Sequence, residues 1–166
     1  MRHALASLSL AITGLFASSA IATDVVRHPL PGGSKFPIAA AVEVPANATT
    51  VYLSGKVPPM VDEAADKNSK AAFGDTEKQT VGILTAIEAQ LKGMGLGMGD
   101  VVKMQVFLVG DPDMEGRMDF GGFMKGYTQF FGTEAQPNLP ARSAMQVAAL
   151  ANPGWLVEIE VTAVRP

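Results

Sequence analysis

The sequence predicts an α+β fold, a mixed β-sheet with two helices on one face. Three observations carry this. Short runs of strand-forming residues stand near both ends of the chain and once in its middle. Between them lie two stretches with apolar residues at helical spacing. The last run alternates strictly, with Val157, Ile159 and Val161 between Glu158, Glu160 and Thr162, so one face suits a core and the other carries polar groups. The order strand, strand, helix, strand, helix, strand, strand is that of one helix layer on one sheet. Carboxylates on the face away from the helices fit a subunit whose open face meets other copies in a closed ring.

In chain order, Met1-Arg2-His3 is basic, Ala4 to Phe16 is apolar apart from Ser, Thr and Gly, and Ala20-Ile21-Ala22 ends the run in small residues. This is the pattern of a secretory signal peptide over residues 1–22, cut after Ala22. The run is short for a bilayer span, which needs about 20 apolar residues. The expectation is a periplasmic or secreted protein with no membrane attachment after cleavage. Residues 23–35 mix Pro and Gly without a period and read as a flexible leader. The folded domain is expected over 36–166.

Strands are expected over Ile38 to Val44 and Thr50 to Ser54, joined by the turn Pro45-Ala46-Asn47-Ala48. Val57 to Phe73 reads as a long surface loop. Asp75 or Thr76 caps a helix, with Gln79 completing a capping box on Thr76, and Val81, Leu84, Ile87, Leu91 and Met94 form its apolar stripe. The glycines from Gly93 to Gly99 follow a helix and precede a strand, the reverse of a dinucleotide-binding turn, and read as a helix stop. Val101 to Val109 is the clearest strand. Asp111-Pro112-Asp113 is expected to open a second helix with Met118, Phe120, Phe123, Met124, Tyr127, Phe130 and Phe131 on one side. Strands near Ser143 to Leu150 and Leu156 to Val164, split by the turn Asn152-Pro153-Gly154, close the chain.

Composition excludes several classes. With 48% hydrophobic and 17% charged residues, the chain has a globular make-up. It has no cysteine, hence no disulfide frame, thiol nucleophile or thiolate metal site. A net charge of -3 and the lack of any Lys/Arg run leave little to neutralise a phosphate backbone, which argues against nucleic acid as a partner. Beyond the signal segment the one histidine is His28, without a second ligand at metal spacing, and it reads as a surface residue. The methionines and aromatics read as core filling.

The chemistry gathers at Asn138-Leu139-Pro140-Ala141-Arg142-Ser143-Ala144 and Val157-Glu158-Ile159-Glu160. Arg142 offers a planar, permanently charged fork that pairs in bidentate fashion with a carboxylate. If the last two strands are neighbours, Arg142 and Glu158 reach one face. Two readings stay open: Arg142 receives an acidic small molecule, or it forms an internal ion pair with Glu158.

The chain resembles the RidA/YjgF family of reactive-intermediate deaminases. The resemblance rests on Ser54-Gly55, Asp100-Val101-Val102-Lys103, Asp119-Phe120 with Tyr127 and Phe130-Phe131, Pro140-Ala141-Arg142-Ser143-Ala144 and Val157-Glu158-Ile159-Glu160, in that order. It implies a homotrimer of chorismate-mutase-like subunits with sites in the clefts between them. It also implies hydrolysis of 2-imino or enamine acids to 2-keto acids and ammonia, without metal or organic cofactor. By position, Arg142 would grip the substrate carboxylate, Glu158 would hold the attacking water, and Ser54 and Gly55 would line the pocket. Ile38 stands where the family commonly has a tyrosine and Met124 where many members have an asparagine, so these two pocket positions are more apolar here. They point to a larger hydrophobic substrate side chain or to reduced turnover. Three functions follow: an exported imine/enamine deaminase, a non-catalytic trimeric binding protein for small carboxylates on the same scaffold, and a ribonuclease, which the acidic balance disfavours.

Overall fold

A computed structural model describes residues 24–165; the segment expected to be a signal peptide lies outside the described residues. Its elements are β1 (Val26–His28), β2 (Ala41–Glu43), β3 (Thr49–Lys56), α1 (Lys70–Phe73), α2 (Thr76–Gly93), β4 (Val101–Val109), α3 (Phe120–Tyr127), β5 (Ala141–Val147) and β6 (Val157–Arg165). β1 and β2 pair antiparallel as a small ribbon. The main sheet has four strands in the order β3-β6-β4-β5. β6 is antiparallel to both its neighbours, and β4 and β5 are parallel. A parallel pair needs a crossover, which α3 supplies. The α+β class read from the sequence is the observed one.

The core lies between the sheet and the two longer helices. On β4, Met104, Val106 and Leu108 are fully buried; on β6, Val157, Ile159, Val161 and Ala163 are buried, while the residues between them on both strands are only partly covered. α2 contributes Ile83, Leu84, Ile87 and Leu91, and α3 contributes Phe123 and Tyr127. Burying one such side chain stabilises the fold by about 1.5–3 kcal/mol. α2 and α3 pack closely at Gly126, where a Cβ would lie 2.8 Å from Thr80 Cβ.

Several sequence expectations shift. In the stretch 23–35, where no element was expected, β1 forms, and the Arg27 guanidinium donates to the carbonyls of Val101 (3.0 Å), Leu139 (2.8 Å) and Gly99 (2.8 Å). The expected strand over Ile38 to Val44 shrinks to β2, although Ala39 makes an isolated parallel bridge to Ala141. The expected capping box is replaced: Asp75 caps α2 through Lys78 N, and Gln79 is fully buried. Its amide donates to Gly74 O and Gly154 O and accepts from Leu156 N, so the whole side chain is satisfied and ties α2 to the start of β6. The second helix starts at Asp119, not at Asp111. Asp111 caps only a short turn over Pro112–Met114, because Glu115 (φ 58°) and Gly116 (φ 75°) adopt left-handed backbone that ends it. The Asp111 carboxylate, almost fully buried, instead takes Lys70 Nζ on both oxygens at 2.8 Å.

Candidate functional site

β5 is an edge strand, and the register decides where Arg142 points. Arg142 stands opposite Met104, and Met104 opposite Val161, both buried on the helix side. Directly opposed residues share a face. Arg142 therefore enters the layer between sheet and α3. Its guanidinium carbon lies 4.3 Å from the ring centroid of Tyr127, 4.9 Å from Phe123, 5.5 Å from Phe36 and 5.9 Å from Phe120. Each ring face attracts the cation by about 0.5–2 kcal/mol. The spacing of α3 explains three of these rings, since positions 120, 123 and 127 fall on one helix face. Phe36 comes from the segment joining the ribbon strands.

The four rings surround the charge but leave one of its donors without an acceptor. Nη1 of Arg142 is buried and has no partner among the described residues. Leaving such a donor unpaired costs on the order of 1–3 kcal/mol, and an incoming oxygen recovers it. Burial pulls the Arg142 pKa down, and the Tyr127 hydroxyl partly offsets this. Burial pushes the Tyr127 phenol up to about 12 against the opposing charge of Arg142. The Tyr127 hydroxyl donates to the Pro37 carbonyl (2.8 Å), which fixes the segment that carries Phe36.

Glu158 lies elsewhere. It is opposite Phe107 on β4, three residues from Met104 and so on the reverse face of the sheet. β5 and β6 are not neighbours, since β4 stands between them. The expected meeting of Arg142 and Glu158 on one face of one subunit does not occur, and the internal ion-pair reading falls with it. The reason is parity: positions 104 and 107 of the shared partner strand face opposite ways.

On that reverse face Glu158 has companions the sequence singled out. A break in register between Leu53 and Lys56 bulges β3 at Ser54-Gly55, and a Cβ built on Gly55 would run into Oε1 of Glu158. Only glycine leaves room for the carboxylate there. Ser54 lines a cavity of about 330 Å³ with Tyr52, Lys103, Gln105, Glu160 and Thr162. Glu158 lines a second, of about 280 Å³, with Phe107, Val147 and Glu160, so Glu160 borders both. Ile38 does not line either; it borders a cavity of about 230 Å³ with Arg27, His28 and Leu139. Met124 is partly buried on α3 and packs on the core. Phe36 is the site residue the sequence reading passed over, Phe120, Phe123 and Tyr127 were read only as core filling, and Arg27 acts as a structural tie through three backbone carbonyls. Arg27 sits in a strand of three residues, too short to show a period, and the one signal for Phe36 is the proline that follows it.

Fold and site define a class: an α+β subunit with an aromatic-backed cation on one sheet face and a carboxylate over a glycine bulge on the other. The comparisons narrow it. The chain belongs to the Endoribonuclease L-PSP family, the RidA/YjgF family, which matches residues 34–165. It is 37% identical over 116 residues to the 2-iminobutanoate/2-iminopropanoate deaminase of Mus musculus, covering 70% of this chain and 74% of that protein. The protein of the same name from Salmonella typhimurium is 34% identical over 115 residues, covering 69% of this chain and 79% of its own. Among solved structures, the YjgF gene product of E. coli is 32% identical with a TM-score of 0.54, over 70% of this chain and 81% of that one. A Rid-family protein of Yersinia pestis has the same fold at 22% identity and a TM-score of 0.61, over 84% and 98%.

Proposed function

We propose that this protein hydrolyses 2-imino or enamine acids to 2-keto acids and ammonia, as an exported homotrimer whose sites lie between subunits. The observation that carries the reading is the Arg142 guanidinium, held charged by four rings with Nη1 buried and unpaired. A buried guanidinium N–H with no acceptor from the described residues suits a substrate carboxylate, which offers one. The names of the mouse and Salmonella relatives support the reaction. Export rests on the pattern of residues 1–22.

Placing Arg142 and Glu158 on opposite sheet faces makes the shared cleft a requirement of this mechanism. Arg142 of one copy fixes the carboxylate, and Glu158 of the next copy accepts a hydrogen bond from water. Tyr52 (80% exposed) and Met145 (40% exposed) stand on the open face and favour its being covered by another copy. Positioning of this kind supplies several kcal/mol of barrier lowering. Water oxygen bonds to C2 while the C=N pair moves to nitrogen. Glu158 relays both water protons to that nitrogen, the first on attack and the second from the C2 hydroxyl, so ammonia leaves as the C2 carbonyl forms.

The test is the decay of 2-imino acids made in place by an amino-acid oxidase and followed by trapping. Wild type is expected to speed hydrolysis and Arg142→Ala to lose at least about a hundredfold in kcat/KM. Binding of 2-oxo acids without turnover would instead support a non-catalytic carboxylate-binding protein. Amino-terminal sequencing of exported protein, expected to begin at Thr23, tests the signal segment.

A further inference from the structure

We propose that Phe36 and Phe120 form the wall that selects the substrate side chain, so that the Arg142 site takes 2-imino acids bearing an aromatic or large apolar group. This rests on the reading of Arg142 as the carboxylate receptor given above. Of the four rings around the guanidinium, Phe123 and Tyr127 are wholly buried. Phe36 is 40% exposed, and Phe120 is partly exposed. Phe36 and Phe120 are thus the two of these rings that a molecule arriving from solvent can touch. A substrate whose carboxylate sits on Arg142 carries C3 two bonds and the group on C3 three bonds from the carboxyl carbon, within reach of these rings.

The two rings are built as a surface for such a group. Their centroids are 6.4 Å apart and their planes 16° from parallel. Neither offers a donor or acceptor, so a hydroxyl-bearing side chain gains no partner from them while a flat or branched apolar one gains contact area. Phe36 is also held in place from the chain beyond it. Pro37 follows and its carbonyl takes the Tyr127 hydroxyl; two residues on, Ala39 N donates to Pro140 O at 3.0 Å. Before it lie Gly32 and Gly33, both at positive φ with open space around them. The ring is thus held from its carboxyl-terminal side and preorganised toward Arg142.

The experiment compares imines derived from phenylalanine and from alanine, with wild type, Phe36→Ala and Phe36→Leu. A single methylene in an apolar pocket is worth about 10- to 200-fold and a phenyl ring is larger than a methylene, so wild type is expected to favour the phenyl imine at least about tenfold in kcat/KM. Phe36→Ala, which also removes one of the four rings around Arg142, is expected to lower kcat/KM on both imines, and about tenfold more on the phenyl imine than on the alanine imine, with Phe36→Leu between. Equal losses on both substrates, or a wild type that prefers the small imine, would overturn the wall. Calorimetric binding of 3-phenyl-2-oxopropanoate and 2-oxopropanoate runs in parallel. Tighter binding of the phenyl acid that Phe36→Ala abolishes, with no turnover of either imine, retains the wall and sinks the deaminase reading. Turnover of both imines at one rate retains the deaminase and sinks the wall. Should Phe36→Ala fail to melt cooperatively, Phe36→Leu, which keeps apolar volume, gives the same comparison.

Discussion

Arg142 and Tyr127 show how one residue sets another's state. The phenol is fully buried, donates to the Pro37 carbonyl and lies beneath a cation, and burial wins over the cation in raising its pKa to about 12 from 10.0. The neutral form is the one the fold prefers. In the unfolded chain Tyr127 releases its proton near pH 10, in the folded chain only near pH 12, so the contribution to stability is intact below pH 10 and lost as pH rises through about 12. The loss is on the order of 2–3 kcal/mol, from two pKa units at 1.36 kcal/mol each. Unfolding by denaturant at several pH values between 10 and 12 is expected to show a steeper decline for wild type than for Tyr127→Phe. Parallel slopes would mean that the phenol titrates as if exposed.

At the scale of elements, contact between α2 and α3 rests on a missing side chain. A Cβ at Gly126 would meet Thr80 Cβ and Cγ2 at 2.8 Å and Glu77 O at 3.1 Å. Gly126→Ala is expected to wedge the helices apart and cost about 1–3 kcal/mol in chemical denaturation, despite the better helix propensity of alanine. A neutral or stabilising result would show that α3 slides freely. The elements themselves were unequally legible. β4, β6 and α2 announce themselves because burial on one face imposes a period that the residues obey. The start of α3 was misread because Asp111-Pro112-Asp113 looks like a cap, yet Asp111 is engaged by Lys70 from far along the chain. Gln79 looked like a capping residue for a similar reason, and its real partners are Gly74 just before α2 and Gly154 and Leu156 in the stretch leading into β6. For the site, residue types were legible and their meeting was not. Arg142 and Glu158 could be picked out as chemistry, but the face each occupies depends on which strand lies between them.

For the whole molecule, that arrangement gives a direct test of assembly. A site drawing Arg142 from one copy and Glu158 from another can be rebuilt from two defective chains. Arg142→Ala and Glu158→Gln are each expected to be nearly inactive, and equal amounts unfolded and refolded together should regain about a quarter of wild-type activity, the share of clefts that receive both intact residues. Light scattering on the same sample reads the assembly size. No recovery in assemblies of mixed composition would place both residues' work within one copy and contradict the mechanism above.

The strand order also has a consequence for how the chain acquires its shape. β3 and β4 never touch as partners; β6 lies between them, with Thr49 paired to Arg165. The middle of the sheet is thus supplied by the strand that follows all the others in the chain. During synthesis β4, α3 and β5 can associate locally, but β3 has no partner in the main sheet until β6 emerges. Such long-range pairing makes for slow closure. Until that moment the nascent chain presents two unpaired strand edges, a form suited to capture by a chaperone and prone to aggregate without one.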